Sequence, residues 1–291
     1  MQTIKFSKYT GAGNNYIFVD GREINHNWNG LAKSISDKNF GIGSDGLIIL
    51  DKSDIADIEM IMFNADGSEG EMCGNGLRCL ARFAEDNEII KPKLENIKVS
   101  TKAGIKTIYP YYENNIMTKA SVDMGAPIFD PTKIPVIPDT VENGIPIVNF
   151  NYENLSLKLY CVNTGVPHCI AYIDEPVYNF ELEKIGPLVE KYDKFPQKVN
   201  FEIVNKKEDK YIVRVWERGS GITLACGTGA TAVAAISKKL NLFDDVIHMN
   251  FPGGELICDC SKKSSINMEG PIEYICSGTY NINYNWEKDI I

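Results

Sequence analysis

The chain has 291 residues, of which 44% are apolar and 24% charged, and its formal net charge is −9. This is the composition of an ordinary globular protein, and the length predicts one large domain or two medium ones. Nucleic-acid binding depends on clustered Lys and Arg, whereas the lysines here are scattered. We therefore expect a small-molecule partner and no nucleic acid.

The start of the chain, MQTIKFSKYTGAG, has no basic segment followed by an apolar run. No stretch reaches the ~18 apolar residues that a membrane span requires. These features predict a cytoplasmic protein with no membrane contact. The eight cysteines are spread thinly and include no Cys-x-x-Cys pair, and there are only three histidines. Reduced thiols are thus expected rather than a disulfide framework or a structural zinc site.

The first half of the sequence alternates strand patterns with glycine turns. Two β-rich segments flank the turn at 10–14, and a helix pattern near 29–38 precedes the apolar run in 40–51. A further strand pattern ends in the Asp-Gly turn at 66–67. Behind Cys73, apolar residues at helical spacing predict an amphipathic helix. Two more strand patterns follow, within residues 96–112 and 118–125.

The second half of the sequence begins after a proline-rich stretch. Five prolines fall between Pro127 and Pro146, which is typical of a connector between halves. Beyond it, a strand, a Thr-Gly turn and a second strand recur in order. A further strand and a glycine turn then lead to an alanine-rich helix pattern directly behind Cys226.

The recurrence has a nearly constant offset, which indicates an internal duplication. Thr10 with Gly11 recurs as Thr164 with Gly165, an offset of 154 (164 − 10), and Cys73 recurs as Cys226, an offset of 153 (226 − 73). Chance would explain the common Thr-Gly turn alone, but each cysteine also begins a Cys-Gly-x-Gly segment. Two similar halves would place equivalent groups face to face across a cleft, where ligands commonly bind.

The two Cys-Gly-x-Gly segments suggest acid–base chemistry. A helix N-terminus lowers the pKa of a thiol, and glycines let its backbone N–H groups approach a carboxylate. Two such termini could hold one α-amino acid by its carboxylate, with a sulfur on each face of Cα. One thiolate would remove the α-proton and the opposite thiol would deliver another, which inverts the centre. The pattern therefore predicts racemisation or epimerisation.

Several other interpretations remain open from the residues alone. Free cysteine is usually buried and inert, and we expect this of the other six cysteines. A disulfide between Cys73 and Cys226 would be an inactivated form. A route through pyridoxal phosphate would need a phosphate loop and a Schiff-base lysine, and no such loop is evident. A non-catalytic protein that binds small anions would use the same helix termini.

Four polar residues near these segments have two possible roles each. His168 follows a Gly-Val-Pro turn, as either a core histidine or a group of the site. Glu217 and Arg218 precede the glycine turn before Cys226, as a solvated pair or as substrate contacts. Asn64 either binds a polar ligand or caps a turn.

Taken together, the motifs resemble the diaminopimelate epimerase family of cofactor-independent two-cysteine enzymes. They are KYTGAGNNYIFVD, FNADGSEGEMCGNGLRC, GVPHC, FPQKVNFEIV and ERGSGITLACGTGA. The resemblance implies an α/β (α+β) fold of two pseudo-symmetric halves, each a curled, barrel-like mixed or antiparallel sheet around a central helix, with the active site in the cleft between them. Residues 1–124, completed by strands at 273–291, would form one half and residues 125–272 the other. Cytoplasmic homodimers, with no cofactor or metal, are expected.

The resemblance also implies roles for individual residues. Cys73 and Cys226 would be the acid/base pair. His168 and Glu217 would tune the cysteines, and Glu217 would also bind the reacting amino group. The substrate contacts carried over from the family's motifs are Asn14, Asn64, Gly74, Asn75, Asn200, Glu217, Arg218, Gly227 and Thr228. Among them, the Gly-Asn and Gly-Thr pairs behind the cysteines would hold the α-carboxylate.

Three positions depart from the usual family pattern. Asn15 stands where an aspartate is usual, Gly46 where many members have glutamine, and Val166 where many have asparagine. The change at Gly46 removes a side-chain contact, and the change at Val166 removes an amide that would help to hold the distal end of the substrate. A related racemase of another amino acid, such as histidine or a proline derivative, is therefore the alternative to an enzyme that interconverts LL- and meso-diaminopimelate.

Overall fold

The computed structural model describes residues 3–208, 210–262 and 264–282. The chain divides into two compact units, Met1–Val122 with Pro271–Ile291, and Asp123–Gly270. Part of the segment predicted to form C-terminal strands, residues 283–291, lies outside the described residues. Within the described part of the chain, no helix is both long and apolar enough to cross a membrane.

The first unit is a mixed sheet with two helices. Its strands are β1 (Thr3–Gly11), β2 (Asn14–Asp20), β3 (Gly46–Asp51), β4 (Ile58–Asn64), β5 (Glu69–Gly70), β6 (Ile97–Thr101), β7 (Gly104–Glu113), β8 (Ile116–Asp123) and β19 (Glu273–Asn281). Its helices are α1 (Trp28–Ser36) and α2 (Gly74–Asp86). The pairs β2–β3 and β4–β6 are parallel, and the remaining pairs within the unit are antiparallel.

Helix α2 is the central helix of the first unit. It packs against β1, β2, β3 and β7. Apolar residues from Leu77 to Ala84 are buried on nearly all of its sides, which is typical of a helix enclosed by a sheet. Strand β3 is buried along Leu47–Leu50, as expected for a strand covered on both faces. The curled sheet around a helix is thereby confirmed for this unit.

The second unit repeats this plan. Its strands are β9 (Thr140–Glu142), β10 (Ile145–Tyr152), β11 (Leu155–Asn163), β12 (Pro167–Tyr172), β13 (Asn200–Lys207), β14 (Lys210–Glu217), β15 (Gly221–Thr223), β16 (Val246–Phe251), β17 (Gly254–Asp259) and β18 (Asn267–Pro271). Its helices are α3 (Leu182–Glu190) and α4 (Gly227–Lys239). Helix α4 packs against β11, β12, β13 and β17, the counterparts of the strands around α2.

The pairing pattern confirms the duplication. The series β1–β2, β2–β3, β3–β4, β4–β6 and β6–β7 is antiparallel, parallel, antiparallel, parallel and antiparallel. The series β11–β12, β12–β13, β13–β14, β14–β16 and β16–β17 has the same orientations in the same order. Both units therefore deliver a helix to the same place in the same sheet topology.

The proline-rich stretch is part of the second unit and not a free connector. Ile134 and Val136 are buried in its hydrophobic core, and the backbone N–H of Ile128 donates to the carbonyl of Asn163 at 2.8 Å. Strand β9 then pairs with β10. The prediction of a connector was wrong because the prolines separate apolar residues that the core buries.

Candidate active site

Cys73 and Cys226 cap the two central helices in nearly the same geometry. Their backbone angles are φ −131° and ψ 120° for Cys73, and φ −127° and ψ 118° for Cys226. Each sulfur accepts a hydrogen bond of 3.4 Å from the N–H group of the third helical residue, Gly76 or Gly229. Both helices have 13 residues. Each thiol thus lies in the positive field of a helix N-terminus, which favours its thiolate.

The glycine at the third helical position is required by packing. A Cβ at Gly76 would lie 2.5 Å from Cδ1 of Ile48, and a Cβ at Gly229 would lie 2.6 Å from Oε1 of Glu202. Ile48 and Glu202 occupy the same place in β3 and β13. The same space beneath the two helix N-termini is therefore filled by an apolar side chain in one unit and by a carboxylate in the other.

In the first unit, Asn14 holds the Cys73 sulfur. The Cys73 thiol donates to Oδ1 of Asn14 at 3.4 Å, while Nδ2 of Asn14 donates to Oδ2 of Asp45 at 2.6 Å. The same carboxylate oxygen accepts the backbone N–H of Asn15 at 2.7 Å. Asp45, which the sequence did not single out, therefore orients the Asn14 amide. It also places a negative charge beside Asn15, where the family pattern has aspartate.

A buried arginine stabilises the start of α2. Arg78 is fully buried, and its guanidinium donates to the carbonyl of Gly74 at 3.4 Å and to Oδ1 of Asn75 at 2.9 Å. The Asn75 side chain, itself buried, is thus held by Arg78 through its oxygen. In the sequence, Arg78 stands only as part of a predicted amphipathic helix. Its signal was a cation among apolar residues at a helical position that faces the sheet.

In the structure Asn64 caps a turn, which is one of the two roles predicted for it. Its Nδ2 donates to Oγ of Ser68 at 3.0 Å, and its backbone N–H donates to the carbonyl of Ser68 at 2.8 Å. Asn64 ends β4, as Glu217 ends β14. The two residues are thus equivalent in the repeat, neutral in the first unit and acidic in the second.

In the second unit, the Cys226 thiol is buried among polar groups. Burial raises its pKa well above the usual value, and the charges of Glu217 and Glu202 raise it further, while Oγ1 of Thr228, at 3.3 Å, and the N–H of Gly229 lower it. Burial likewise raises the pKa of Glu217, against hydrogen bonds from Thr223 and Cys226 that lower it. Gly227 begins α4 and is itself buried.

His168 is paired with the carboxylate of Glu202, which no sequence motif singles out as a site residue. Nδ1 of His168 lies 2.8 Å from Oε1 of Glu202, and neither side chain is exposed to solvent. A buried carboxylate is costly without a partner, so the two side chains hold each other in place. Glu202 lies within the quoted motif FPQKVNFEIV, where it reads as one position of a strand. Its partner, on the neighbouring strand, is what gives it a place in the site.

The atoms of His168, Glu202 and Cys226 lie within 4.8 Å of one another, and such residues are also zinc ligands. The short contact between His168 and Glu202 already uses one atom of each. We therefore interpret the cluster as a hydrogen-bonded pair beside a thiol.

Asn200 and Arg218 form one linked unit. Oδ1 of Asn200 accepts the backbone N–H of Arg218 at 2.7 Å, and Nδ2 of Asn200 donates to the carbonyl of Pro167 at 3.0 Å. The Arg218 guanidinium donates to the carbonyl of Gln197 at 2.9 Å. The amide of Asn200 thus joins the segment before His168 to the loop after β14, and Arg218 keeps further donors for a ligand.

Position 46 has no space for a side chain on this backbone. A Cβ there would lie 2.2 Å from the carbonyl oxygen of Phe63, on the neighbouring strand. The glutamine that many family members carry at this position therefore has no room on this backbone. Val166, the other lost amide, is half-buried in the turn before β12, and its carbonyl accepts the N–H of Thr164 at 3.2 Å.

The remaining cysteines are packing residues, with one difference from expectation. Cys276 is half-buried on β19, whereas the others are buried. The buried ones are Cys79, Cys161, Cys169, Cys258 and Cys260. Burial raises the pKa of Cys79 to about 12, which leaves that thiol unreactive.

A family model described as diaminopimelate epimerase matches residues 6–129 and 160–275 of the chain. The chain belongs to the diaminopimelate epimerase family. The diaminopimelate epimerase of Methanococcus maripaludis (strain C5) is 42% identical over 96% of this chain and 100% of its own length. That of Bacillus mycoides (strain KBAB4) is 39% identical over 96% of this chain and 98% of its own. The family is one of isomerases.

Solved structures show how widely the fold occurs beyond the diaminopimelate epimerase family. A phenazine biosynthesis protein of the PhzF family from Bacillus anthracis matches 97% of this chain and 100% of its own with a TM-score of 0.67 and 17% identity. A hydroxyproline epimerase from Agrobacterium vitis matches 96% of this chain and 91% of its own with a TM-score of 0.68 and 11% identity. At these identities the likeness concerns the fold alone.

Proposed function

We propose that the protein interconverts LL- and meso-diaminopimelate, without a cofactor, by two-base proton transfer at Cα. The observation that carries the proposal is the pair of cysteines that cap equivalent helices with the same backbone angles and the same Sγ contact. Relatives that carry this name over nearly the full chain support the substrate. The reaction would serve lysine and peptidoglycan precursor synthesis.

The proposed reaction uses Cys73 and Cys226 in opposite protonation states. One thiolate takes the proton from Cα of the substrate and becomes a thiol. The other thiol gives its proton to the opposite face of Cα and becomes a thiolate. No proton is gained or lost overall, and the enzyme is left ready for the reverse direction.

The α-carboxylate would be held by the N–H groups at the two helix N-termini. Gly74 with Asn75, and Gly227 with Thr228, occupy the first two helical positions of α2 and α4, and the N–H groups at a helix N-terminus commonly bind carboxylates. Holding the carboxylate there stabilises the negative charge that develops next to Cα when the proton leaves.

The other side chains would recognise the rest of the substrate. Glu217 would bind the reacting amino group and, with His168, tune Cys226. Contacts to the substrate, including its distal amino-carboxylate end, are proposed for Asn14, Asn64, Asn200 and Arg218. In this set Arg218 supplies the positive charge, which suits a carboxylate.

Solvent deuterium tests the chemistry. In D₂O the protein should place deuterium at Cα of the product epimer, because the delivered proton comes from a thiol that exchanges with solvent. A panel of purified diaminopimelate, histidine and proline stereoisomers tests the substrate. Turnover of another amino acid with none of diaminopimelate would contradict the substrate but leave the two-thiol mechanism. Binding with no exchange at Cα would indicate a protein that only binds anions.

We also propose that the protein is a cytoplasmic homodimer. The compartment is supported by the sequence, in which eight cysteines are spread thinly and include no Cys-x-x-Cys pair, as in proteins of a reducing environment. The dimer rests on the family resemblance. Light scattering on a size-exclusion column would test it, and a mass of one chain across micromolar concentrations would contradict it.

A further inference from the structure

We propose that Glu202 is a positioning residue that keeps Cys226 in its thiol form in the free enzyme, so that the duplicated thiols differ in their readiness to lose a proton. The inference deepens the proposed function and rests on it. It starts from the one place where the two helix N-termini differ most, which is the side chain packed beneath the third helical residue.

The difference arises at equivalent positions of the repeat. Beneath Gly76 of α2, Cδ1 of Ile48 fills the space; beneath Gly229 of α4, Oε1 of Glu202 fills it. A carboxylate at a helix N-terminus offsets the positive field that would otherwise favour a thiolate there. Beneath the third residue of α2 the nearest side chains of the sheet are apolar, whereas a carboxylate beneath the third residue of α4 opposes the field of the helix at Cys226.

The hydrogen bond to His168 fixes that charge in place. Glu202 is fully buried, so its carboxylate cannot turn to solvent, and the 2.8 Å contact with Nδ1 of His168 orients it. Nε2 of His168 has no hydrogen-bond partner among the described residues. The hydrogen bond thus holds the Glu202 carboxylate beside Cys226, where its charge raises the pKa of the thiol.

Other charged groups near the two thiols also favour a higher pKa at Cys226 than at Cys73. Cys226 also faces Glu217 on β14, and burial and both carboxylates raise the pKa of its thiol. On the other helix the buried Arg78 adds a positive charge, and the equivalent residue in α4 is the neutral Thr231. At Cys73, the Asn14 amide, which accepts from the thiol, and the exposed carboxylate of Asp45 beyond it act against this order.

The test measures each thiol without substrate. Cys226 in a C73S chain and Cys73 in a C226S chain are alkylated with iodoacetamide from neutral to alkaline pH, and the peptide that carries each is quantified by mass spectrometry. Because Cys226 is the more buried thiol, the midpoints of the pH profiles are compared and not the rates. We expect the Cys226 midpoint to lie above the Cys73 midpoint by about one pH unit or more.

The variant E202Q tests the residue itself. Glutamine keeps the acceptor for Nδ1 of His168 and removes the charge, so the Cys226 midpoint should fall by about one pH unit. At any pH below the new midpoint, the variant would then hold about tenfold more Cys226 thiolate than the unchanged chain. The Cys73 midpoint should not move. The matched control is E190Q, which removes another buried carboxylate of the same unit, held by Nε1 of Trp216 at 2.7 Å. It should leave both midpoints unchanged.

Two outcomes would overturn the inference. One is an unchanged Cys226 midpoint in a folded E202Q chain, since a merely structural Glu202 alters stability alone. The other is a Cys226 midpoint at or below that of Cys73 with Glu202 in place. The second comparison needs no change at position 202, so it can overturn the inference even if E202Q fails to fold by circular dichroism. Alkylation requires no turnover, so failure of the diaminopimelate assay would leave this result standing.

Discussion

At the scale of single residues, the place of the two cysteines at helix N-termini was predictable, and the contacts of Glu202, Arg78 and Asp45 were not. A repeated Cys-Gly-x-Gly is visible in one sequence because both copies keep the same letters. Glu202 and Arg78 are not, because a charged residue is normally exposed and only the fold shows that these two are buried. Asp45 was missed for another reason, since a Ser-Asp-Gly sequence is typical of a turn.

Replacing either cysteine by serine should lower kcat by orders of magnitude. Serine keeps the helix cap, because its hydroxyl can accept the same N–H group, but it is a far weaker acid than a thiol at neutral pH. Epimerisation of LL-diaminopimelate measures the loss, with circular dichroism as the check on folding. C79S is the matched control, because it changes a buried thiol of α2 that is proposed only to pack. Near wild-type turnover in C73S and C226S would refute the two-thiol mechanism.

The alkaline limb of the pH profile should reflect Cys226. Burial and the charges of Glu217 and Glu202 raise the pKa of this thiol, so it remains protonated at a pH where an ordinary thiol, with a pKa near about 8.5, has ionised. Activity requires one thiol and one thiolate, so it is lost as pH rises through the raised value. We expect kcat/KM to hold above about pH 8.5 before it falls. A decline centred below that pH would contradict the assignment.

At the scale of elements, hydrophobic periodicity predicted the central helices, whereas proline content gave a wrong prediction for the stretch from Pro127 to Pro146. The apolar spacing behind Cys73 predicted a helix, and α2 occupies that place. The stretch from Pro127 to Pro146 was misjudged because proline content is a local signal, whereas burial of Ile134 depends on the rest of the core. Which side chain packs beneath the third helical residue is likewise a tertiary fact.

Alanine at Gly76 or Gly229 should destabilise the protein by about 1–3 kcal/mol, as overpacking of a core does. The new Cβ would lie 2.5 Å from Ile48 in one case and 2.6 Å from Glu202 in the other. Urea unfolding followed by circular dichroism measures the change.

The matched control for these glycine variants is G30A. Gly30 is also the third residue of its helix, and its N–H donates to the capping side chain of Asn27 at 3.2 Å. Its Cβ would meet nothing but that same cap. G30A should therefore be neutral or slightly stabilising, since alanine favours helix. Equal effects of all three changes would show that the helix position, and not the packing beneath it, decides the cost.

At the scale of the whole molecule, the nearly constant sequence offset predicted the duplication. No sequence pattern predicted that β19 returns to pair with β1. The expectation that the C-terminal strands return to the first half came from family resemblance. In the structure β19 pairs with β1 from Thr3 opposite Asn281 to Thr10 opposite Glu273. No local pattern predicts a partner so far along the chain, because hydrophobic periodicity indicates which face is buried and not what covers it.

Deleting the chain from Glu273 onward should unfold the first unit selectively. Strand β1 would lose its antiparallel partner, and the core around Ile4 and Phe6 would lose Cys276 and Tyr280, which pack against it. Hydrogen exchange read by mass spectrometry should show loss of protection in β1 and β2, relative to the full chain. Retained protection in β11 and β12 is the internal control, and retained protection in β1 would contradict the prediction.

The glutamate beneath Gly229 affects how many protons the two thiols hold between them. If the two thiols had the same pKa and titrated independently, no more than about half of the molecules could carry exactly one proton at any pH, and the rest would carry none or two. The carboxylate of Glu202, together with burial and the charge of Glu217, separates the two proton affinities. At a separation of about one pH unit, the share of molecules that hold one proton rises to about two-thirds at the pH midway between the two values, and a wider separation raises it further. More of the encounters with substrate then meet an enzyme with one thiol and one thiolate.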